Sequence, residues 1–316
     1  SQKNFEDARV VASQLISATP DDAQAHFLLA WAYDGLGDRK SARNELENTL
    51  RVAPDHFAAR LAMAYVMLVG GETDNAEKQL ALLVERAPTH PGVLRLKAAL
   101  AGAGGRDSEA LALLQQVYET YPGAQSLASL VQQKRRMAAP EDAIALQERW
   151  LVENPEDIKT AISLAADYSR NNQSDKAVLS LKQVLTKDQN NIVALNELAW
   201  NLRDQDPEAA LRYATKAVEL APEVAEIQDT YAMILLKVGR VEEARRSLDR
   251  GLKIKPEHPS LRYHSAMIDV AAGNHSAAMA TLRSLLNDTN TNFPEREEAV
   301  KLLEQLAQPD AHGASH

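Results

Sequence analysis

Cysteine is absent from the 316 residues, which excludes disulfides, thiolate nucleophiles and cysteine-based metal sites. Long apolar runs are also missing, since no stretch approaches the roughly 18 consecutive apolar residues of a membrane-spanning helix. Basic residues number 35 against 44 acidic ones, and the net charge of -9 argues against a nucleic-acid-binding face and a basic membrane surface. Aromatic residues make up only 5%, so the interior must consist mainly of Ala, Leu and Val.

The length also limits the architecture. The chain is longer than the roughly 250–300 residues at which a single hydrophobic core stops growing. It therefore either divides into globular domains or is extended and repetitive.

Prolines recur along the chain at intervals of about 34 residues, except that one is missing near Gln189. The series is Pro20, Pro54, Pro88, Pro122, Pro155, Pro222 and Pro256. An alanine stands twelve residues before each of them, at Ala8, Ala42, Ala76, Ala110, Ala143, Ala210 and Ala244. A turn-forming residue recurs midway, at Gly37, Gly71, Gly105, Asn172, Gly239 and Gly273. The sequence is therefore an array of repeats.

Each repeat has the pattern of two amphipathic helices. In the first full repeat, Leu29, Ala32 and Leu36 follow at three- and four-residue spacing and end at Gly37. This period near 3.6 indicates helices, and glycine and proline are the expected stop signals. The small alanine allows neighbouring helices to approach closely.

The pattern resembles the tetratricopeptide repeat (TPR), which the residues 23–56 match with Leu29, Ala30, Tyr33, Ala42 and Pro54. The resemblance implies an all-α fold, a TPR α-solenoid that forms a right-handed superhelix of about eight helix–turn–helix repeats plus flanking helices. We place the eight repeats at 23–56, 57–90, 91–124, 125–157, 158–191, 192–224, 225–258 and 259–292. A half repeat at 1–22 precedes them; a capping helix at 293–308 and a disordered tail at 309–316 follow.

The N-terminal half repeat has no first helix before it. Residues 3–18 carry Phe5, Ala8, Ala12 and Leu15 in the phase of a second helix. A solenoid needs a polar outer face on its terminal repeat. We therefore expect the chain to be the C-terminal piece of a longer array, with self-association through this uncapped end.

The sequence predicts no enzyme, cofactor or metal site. His56, His90 and His258 share one repeat position, roughly 10 Å apart in adjacent repeats, which is too far to ligate one metal ion. We interpret them as polar loop residues, and His264 as a surface residue or a helix residue whose hydrogen bonds are satisfied. Acidic pairs such as Glu242-Glu243 lack the convergence on a cleft that carboxylate catalysis needs.

A protein or peptide partner is the predicted ligand. In TPR arrays the first helix of each repeat lines the concave surface. The candidate partner-binding residues on that face are Phe27, Trp31, Leu61, Tyr65, Asn196, Trp200, Arg203, Asp229, Met233 and Tyr263. Asn196 is alone in resembling the residues that grip a peptide's terminal carboxylate, which disfavours that mode. The Lys134-Arg135-Arg136 cluster is interpreted as a solvated face rather than a patch for an acidic partner.

Residues 125–308 also resemble a narrower group. Stretches such as ALNELAW (194–200), IQDTYAMILLKVGR (227–240) and FPEREEAVKLLEQL (293–306) are similar to the C-terminal region of the PEP-CTERM/exosortase-system TPR lipoproteins. Members are bacterial periplasmic proteins that are lipid-anchored at an N-terminal cysteine. The resemblance implies a periplasmic scaffold, part of an outer-membrane lipoprotein, for exopolysaccharide biosynthesis and export or for PEP-CTERM protein sorting.

Two alternatives stay open. The chain would be a direct polysaccharide-binding module if Trp31, Tyr65, Trp200 and Tyr263 stack on sugar rings. It would be a cytosolic TPR adaptor if the parent protein carries no lipid anchor.

Overall fold

A computed structural model describes residues 2–287 and 293–307, and the regular structure in these ranges consists of 18 α-helices. The predicted all-α class is confirmed. The helices are α1 (Gln2–Ala18), α2 (Ala23–Gly35), α3 (Arg39–Val52), α4 (Phe57–Val69), α5 (Thr73–Arg86), α6 (Pro91–Ala103), α7 (Asp107–Thr120), α8 (Ala124–Arg136), α9 (Pro140–Glu153), α10 (Ile158–Arg170), α11 (Ser174–Lys187), α12 (Ile192–Leu202), α13 (Pro207–Leu220), α14 (Ala225–Lys237), α15 (Val241–Ile254), α16 (Pro259–Ala271), α17 (His275–Asn287) and α18 (Arg296–Ala307).

The chain divides into two compact units, Ser1–Leu146 and Gln147–His316. Within each unit the two helices of a repeat pack against each other, as α2 with α3 and α14 with α15. First helices also contact the first helix of the next repeat: α4 touches α6 in unit 1, and α10, α12, α14 and α16 form a row in unit 2. Each unit therefore presents a face made of first helices.

Small residues let the helices of a repeat pack closely. The alanine near the start of the second helix is at most 1% exposed at Ala42, Ala76, Ala110, Ala143, Ala177, Ala210 and Ala244. Leucines one or two turns further along, such as Leu83, Leu181 and Leu248, are fully buried beside them. This is the packing role that the repeat pattern predicts for the alanine.

Tight turns join the two helices of most repeats. Gly37, Gly71, Gly105, Gly239 and Gly273 have φ between 73° and 83°, a conformation that glycine adopts without steric cost. Asn172 takes the same conformation at φ 56°. In the repeat 125–157, Ala138 does so at φ 53°, although its Cβ disfavours that conformation.

The two ends differ from the repeats between them. At the C-terminal end, α18 packs Ala299 and Leu303 against Leu282 and Leu285 of α17, and its charged side faces solvent. The predicted tail at 309–316 lies outside the described residues, as do Gln308 of the predicted capping helix and 288–292 of the last predicted repeat.

The N-terminal helix corrects one sequence expectation. Phe5 is not part of an exposed apolar side, because its ring packs 4.8 Å from Trp31 and lies against Gly35. The exposed large apolar residues of α1 are Val10, Val11 and Leu15, at 47%, 50% and 45%. Within the described ranges, no helix has the length and apolar character that crossing a bilayer requires.

Candidate functional site

In unit 1, the first helices α2 and α4 form a groove with aromatic walls, to which the second helix α3 also contributes. We name it the aromatic groove; its volume is about 400 Å³. Its lining residues include Phe27, Trp31, Leu46, Tyr65, Val66 and Val69. Trp31 is 50% exposed and Val69 60%, so large apolar side chains face solvent here. Aromatic rings in such a setting can contact an apolar side chain of a partner.

A polar groove of about 490 Å³ adjoins the aromatic groove through Tyr65, and Arg95, Ser129 and Arg136 also line it. Burial raises the pKa of the Tyr65 hydroxyl, and the nearby Arg95 guanidinium opposes this effect. The Nε atom of Arg136 lies 3.1 Å from Asp107 Oδ1.

The basic cluster at 134–136 is largely paired within the chain. Besides the pair of Arg136 with Asp107, the Lys134 ammonium lies 2.9 Å from Asp142 Oδ2. These ion pairs agree with the interpretation that the cluster is not a binding patch for an acidic partner.

In unit 2, four successive first helices form a groove that is rich in carboxylates. We name it the acidic groove; its volume is about 500 Å³. Its polar lining consists of Ser169, Arg170, Asn196, Glu197, Trp200, Glu226, Asp229, Thr230, His258, Ser260, His264 and Glu295. Four carboxylates and one arginine line it, so its charge is negative.

Three of these carboxylates have partners within the chain. Asp229 Oδ1 lies 2.7 Å from His264 Nδ1, and Ser260 Oγ donates to Glu295 Oε2 at 2.9 Å. Glu226 pairs with Lys255, whose hydrogen bond lowers the pKa of the Glu226 carboxyl.

Glu197 differs from these carboxylates. It is half-buried on α12, and its side chain makes no hydrogen bond or ion pair with the part of the chain that the structure describes. Burial raises the pKa of its carboxyl group, and the charge of Arg170 only opposes this. The carboxylate is therefore held in an environment that disfavours its charge.

Two further polar atoms of the acidic groove lack partners among the described residues. Asn196 Oδ1 and His258 Nδ1 are both buried from solvent without a hydrogen bond. At the same repeat position, His56 Nδ1 accepts from the Ala59 amide and His90 Nδ1 from the Gly92 amide, each at 3.1 Å. His258 also precedes a helix, α16, but its side chain makes no such cap.

Two family profiles described as tetratricopeptide repeat match this chain, one at residues 35–100 and 201–259, the other at 231–297. The chain belongs to the tetratricopeptide repeat family. The matched repeats contain α4, α14 and α16, which carry parts of both grooves.

Solved structures share the TPR fold. The chain is similar to one in the crystal structure of the APC/C hetero-tetramer Cut9-Hcn1, with a TM-score of 0.60, 14% identity and coverage of 98% of this chain and 60% of that one. It is also similar to TTC0263, a thermophilic TPR protein in Thermus thermophilus, with a TM-score of 0.51, 20% identity and coverage of 58% and 100%. These likenesses show the fold alone, and the predicted TPR α-solenoid is confirmed.

A curated relative is the Protein STIP1 homolog of Dictyostelium discoideum. It is 35% identical over 127 residues, which are 38% of this chain and 22% of that protein. The TPR chain therefore spans less than a quarter of this relative's length.

Six of the ten predicted partner-binding residues line the two grooves of the TPR structure. Phe27, Trp31 and Tyr65 line the aromatic groove, and Asn196, Trp200 and Asp229 line the acidic groove. Leu61 packs on the core beside Leu96, and Met233 is half-buried. The guanidinium of Arg203 lies 3.9 Å from the centre of the Trp200 ring.

Tyr263 corrects one prediction. It is only 8% exposed and packs in the core with Leu282 and Phe293. The Tyr263 side chain lies between α16 and the helices that follow, so Tyr263 is not part of the candidate partner-binding surface. The same burial removes one of the four rings proposed for stacking on sugars, and Arg203 covers one face of another, Trp200.

Neither the unpaired state of Glu197 nor the missing cap at His258 is apparent from the sequence. Glu197 adjoins Asn196 in the sequence, but its lack of a partner is a tertiary property. The three histidines look equivalent in the sequence, and His56 and His90 proved to be helix caps rather than simple loop residues. Across residues 2–287 and 293–307, no three His, Asp or Glu side chains are grouped so that they could hold a metal ion.

Proposed function

We propose that this chain is a non-catalytic protein-interaction scaffold whose grooves on the first-helix faces bind segments of partner proteins. TPR proteins are generally scaffolds of this kind, and membership of the family supports the proposal. The single observation that carries it is the aromatic groove, where Trp31 and Val69 remain exposed beside Phe27 and Tyr65. Exposed aromatic residues at the centre of a recess are typical of protein-binding hot spots.

A protein partner is favoured over a polysaccharide. Stacking on sugars needs accessible ring faces. Tyr263 is buried, Arg203 lies on Trp200 and Phe5 packs against Trp31. The aromatic groove also has Val66, Val69 and Leu46 in its walls, which suit an apolar side chain better than a hydroxylated ring.

Photo-crosslinking tests the proposal. A photoreactive phenylalanine analogue at position 31 places the reactive group in the aromatic groove. The same analogue at Leu82, which is 43% exposed on the second helix α5, is the matched control. We expect discrete protein adducts from position 31 that are absent from position 82. Adducts of equal yield from both positions, or none from position 31, would contradict the proposal.

We further propose that the scaffold works in the bacterial periplasm, in exopolysaccharide biosynthesis and export or in PEP-CTERM protein sorting. The support is the resemblance of residues 125–308 to lipoproteins of that system. Deletion of the encoding gene should reduce secreted polysaccharide or leave PEP-CTERM proteins unsorted. In cell fractionation, the protein should be recovered in the periplasmic fraction. Recovery in the cytosol with both processes intact would favour a cytosolic adaptor.

A further inference from the structure

The acidic groove of unit 2 contains an unpaired carboxylate and two buried polar atoms that have no hydrogen-bond partner among the described residues. The apolar contacts proposed for the aromatic groove do not account for these groups. Its lining combines Glu197, Glu226, Asp229 and Glu295 with the single arginine Arg170. Arg170 is already paired, since its Nη1 atom lies 3.0 Å from Asp167 Oδ1. An anionic ligand would therefore meet net repulsion here, whereas a cation would be attracted.

Glu197 is the position where a cation gains most. The other three carboxylates have partners within the chain, whereas the Glu197 side chain forms no hydrogen bond or ion pair with the described residues and only the charge of Arg170 acts on it. A charged group that is half-buried without a partner costs free energy, and an incoming ammonium or guanidinium group would remove that cost. No existing ion pair has to break first.

Asn196 and His258 supply the second, independent observation. A buried polar atom without a partner is rare in native proteins and calls for an explanation. Both Asn196 Oδ1 and His258 Nδ1 are such atoms, and both residues line the acidic groove. A rotation that turns either side chain toward a ligand breaks no hydrogen bond of that atom. An oxygen acceptor at Asn196 suits an N–H donor, which a peptide backbone provides.

The extent of the acidic groove indicates the form of the ligand. Lining residues come from α10, α12, α14 and α16, and packed helix axes lie about 8–10 Å apart. Three such steps cover roughly 25–30 Å, which an extended chain of about eight or nine residues spans. A single metal ion would not use this length, and the described residues contain no metal-binding cluster.

We propose that the acidic groove binds an extended cationic segment of a partner protein, with a lysine or arginine side chain opposite Glu197 and backbone amides near Asn196. The inference rests on the proposed scaffold function and specifies one class of partner. Electrostatic attraction would speed the encounter, and the unpartnered groups would fix the register of the segment.

Titration calorimetry with a defined probe tests the proposal. The probe is an acetylated and amidated peptide of about nine residues that alternates lysine with serine, and its counterpart has glutamate for lysine. We expect saturable binding of the lysine peptide that weakens as salt is added, and none of the glutamate peptide. Glu197→Gln should weaken binding by about tenfold, and Asn196→Ala by about threefold to fivefold.

The matched control is Glu219→Gln, which changes net charge equally but lies exposed on the second helix α13. It should leave the affinity unchanged. Thermal unfolding of each variant establishes that the fold is intact. Equal weakening by Glu197→Gln and Glu219→Gln, or equal binding of both peptides, would overturn the proposal.

Calorimetry with the lysine peptide and photo-crosslinking at position 31 together distinguish a failure of this inference from a failure of the scaffold proposal. If the lysine peptide does not bind while position 31 still gives protein adducts, the cationic-segment inference is wrong and the scaffold proposal stands. Binding of spermidine as tightly as the peptide would also overturn the inference, because a polyamine offers no backbone amides to Asn196.

Discussion

His90 Nδ1 accepts a hydrogen bond from the backbone amide of Gly92 at 3.1 Å, which caps the start of α6. His258 occupies the same repeat position before α16, yet its Nδ1 atom is buried without a partner among the described residues. The same repeat position thus caps a helix with its side chain at His90 but not at His258.

The capping difference predicts unequal stability effects. His90→Ala removes a cap and should lower the free energy of unfolding by about 1 kcal/mol. His258→Ala removes no cap and should cost less than about 0.5 kcal/mol. Urea unfolding followed by circular dichroism measures both changes. Equal losses from the two variants would contradict the assignment of His258 as an unused cap.

Ala138 is predicted to be a strained turn residue. Its φ of 53° is one that glycine adopts freely and alanine does not. Ala138→Gly should therefore raise the free energy of unfolding by about 0.5–1 kcal/mol. This net gain is the relieved backbone strain minus the cost of the additional entropy that glycine gives the unfolded chain. As controls, Gly105→Ala at φ 73° and Ala128→Gly within α8 should both be destabilising. A loss of stability in Ala138→Gly would show that the turn is not strained.

Glu197 should make stability depend on pH. Burial raises the pKa of its carboxyl above the ordinary value of 4.5, so the folded state binds this proton more tightly than the unfolded state. The group's contribution is therefore fully present below about pH 4.5 and is lost as pH rises through the raised folded value. Glu197→Gln removes that loss and should stabilise the protein by about 0.5 kcal/mol at neutral pH.

Unfolding midpoints of parent and Glu197→Gln from pH 4 to pH 8 check this prediction. The gain of the variant should grow as pH rises and exceed that of Glu219→Gln, which controls for net charge. A gain that shrinks with rising pH would contradict it. A residue that costs stability yet weakens peptide binding when replaced is the expected signature of a functional group.

Self-association at the N-terminal helix is predicted to depend on Leu15 and Val11, since Phe5 is engaged with Trp31. Leu15→Glu should abolish any concentration-dependent increase in mass measured by light scattering. Leu179→Glu, at a residue that is 61% exposed on α11, is the control and should leave the increase intact. If the unmodified protein stays monomeric at high concentration, Val11 and Leu15 do not drive self-association.

The repeat architecture is readable from the sequence because its determinants are local and periodic. Proline and glycine end helices by backbone geometry, and the buried alanine recurs wherever two helices must approach closely. Ala42 and Ala244 therefore occupy equivalent buried positions, each at most 1% exposed, although some 200 residues separate them.

The grooves are less predictable from the sequence, because the tertiary structure decides which side chains form hydrogen bonds and ion pairs with each other. First-helix register predicts Trp31, Tyr65, Asn196 and Trp200 on the first-helix face. In the structure Trp31 and Tyr65 line the aromatic groove, and Asn196 and Trp200 line the acidic groove. The register could not show that Tyr263 turns inward onto Phe293. The sequence also could not reveal that Glu197 lacks a partner, since the neighbouring charges come from other repeats.

Hydrogen exchange of the free protein, compared with that of its complex with a captured partner, is the sharpest test of partner binding in the grooves. We expect slower exchange in first helices, in α2 and α4 for the aromatic groove and in α12 and α14 for the acidic groove. Second helices such as α5 and α13 should exchange as in the free protein. Protection confined to second helices, or no protection along either groove in a stable complex, would contradict the account.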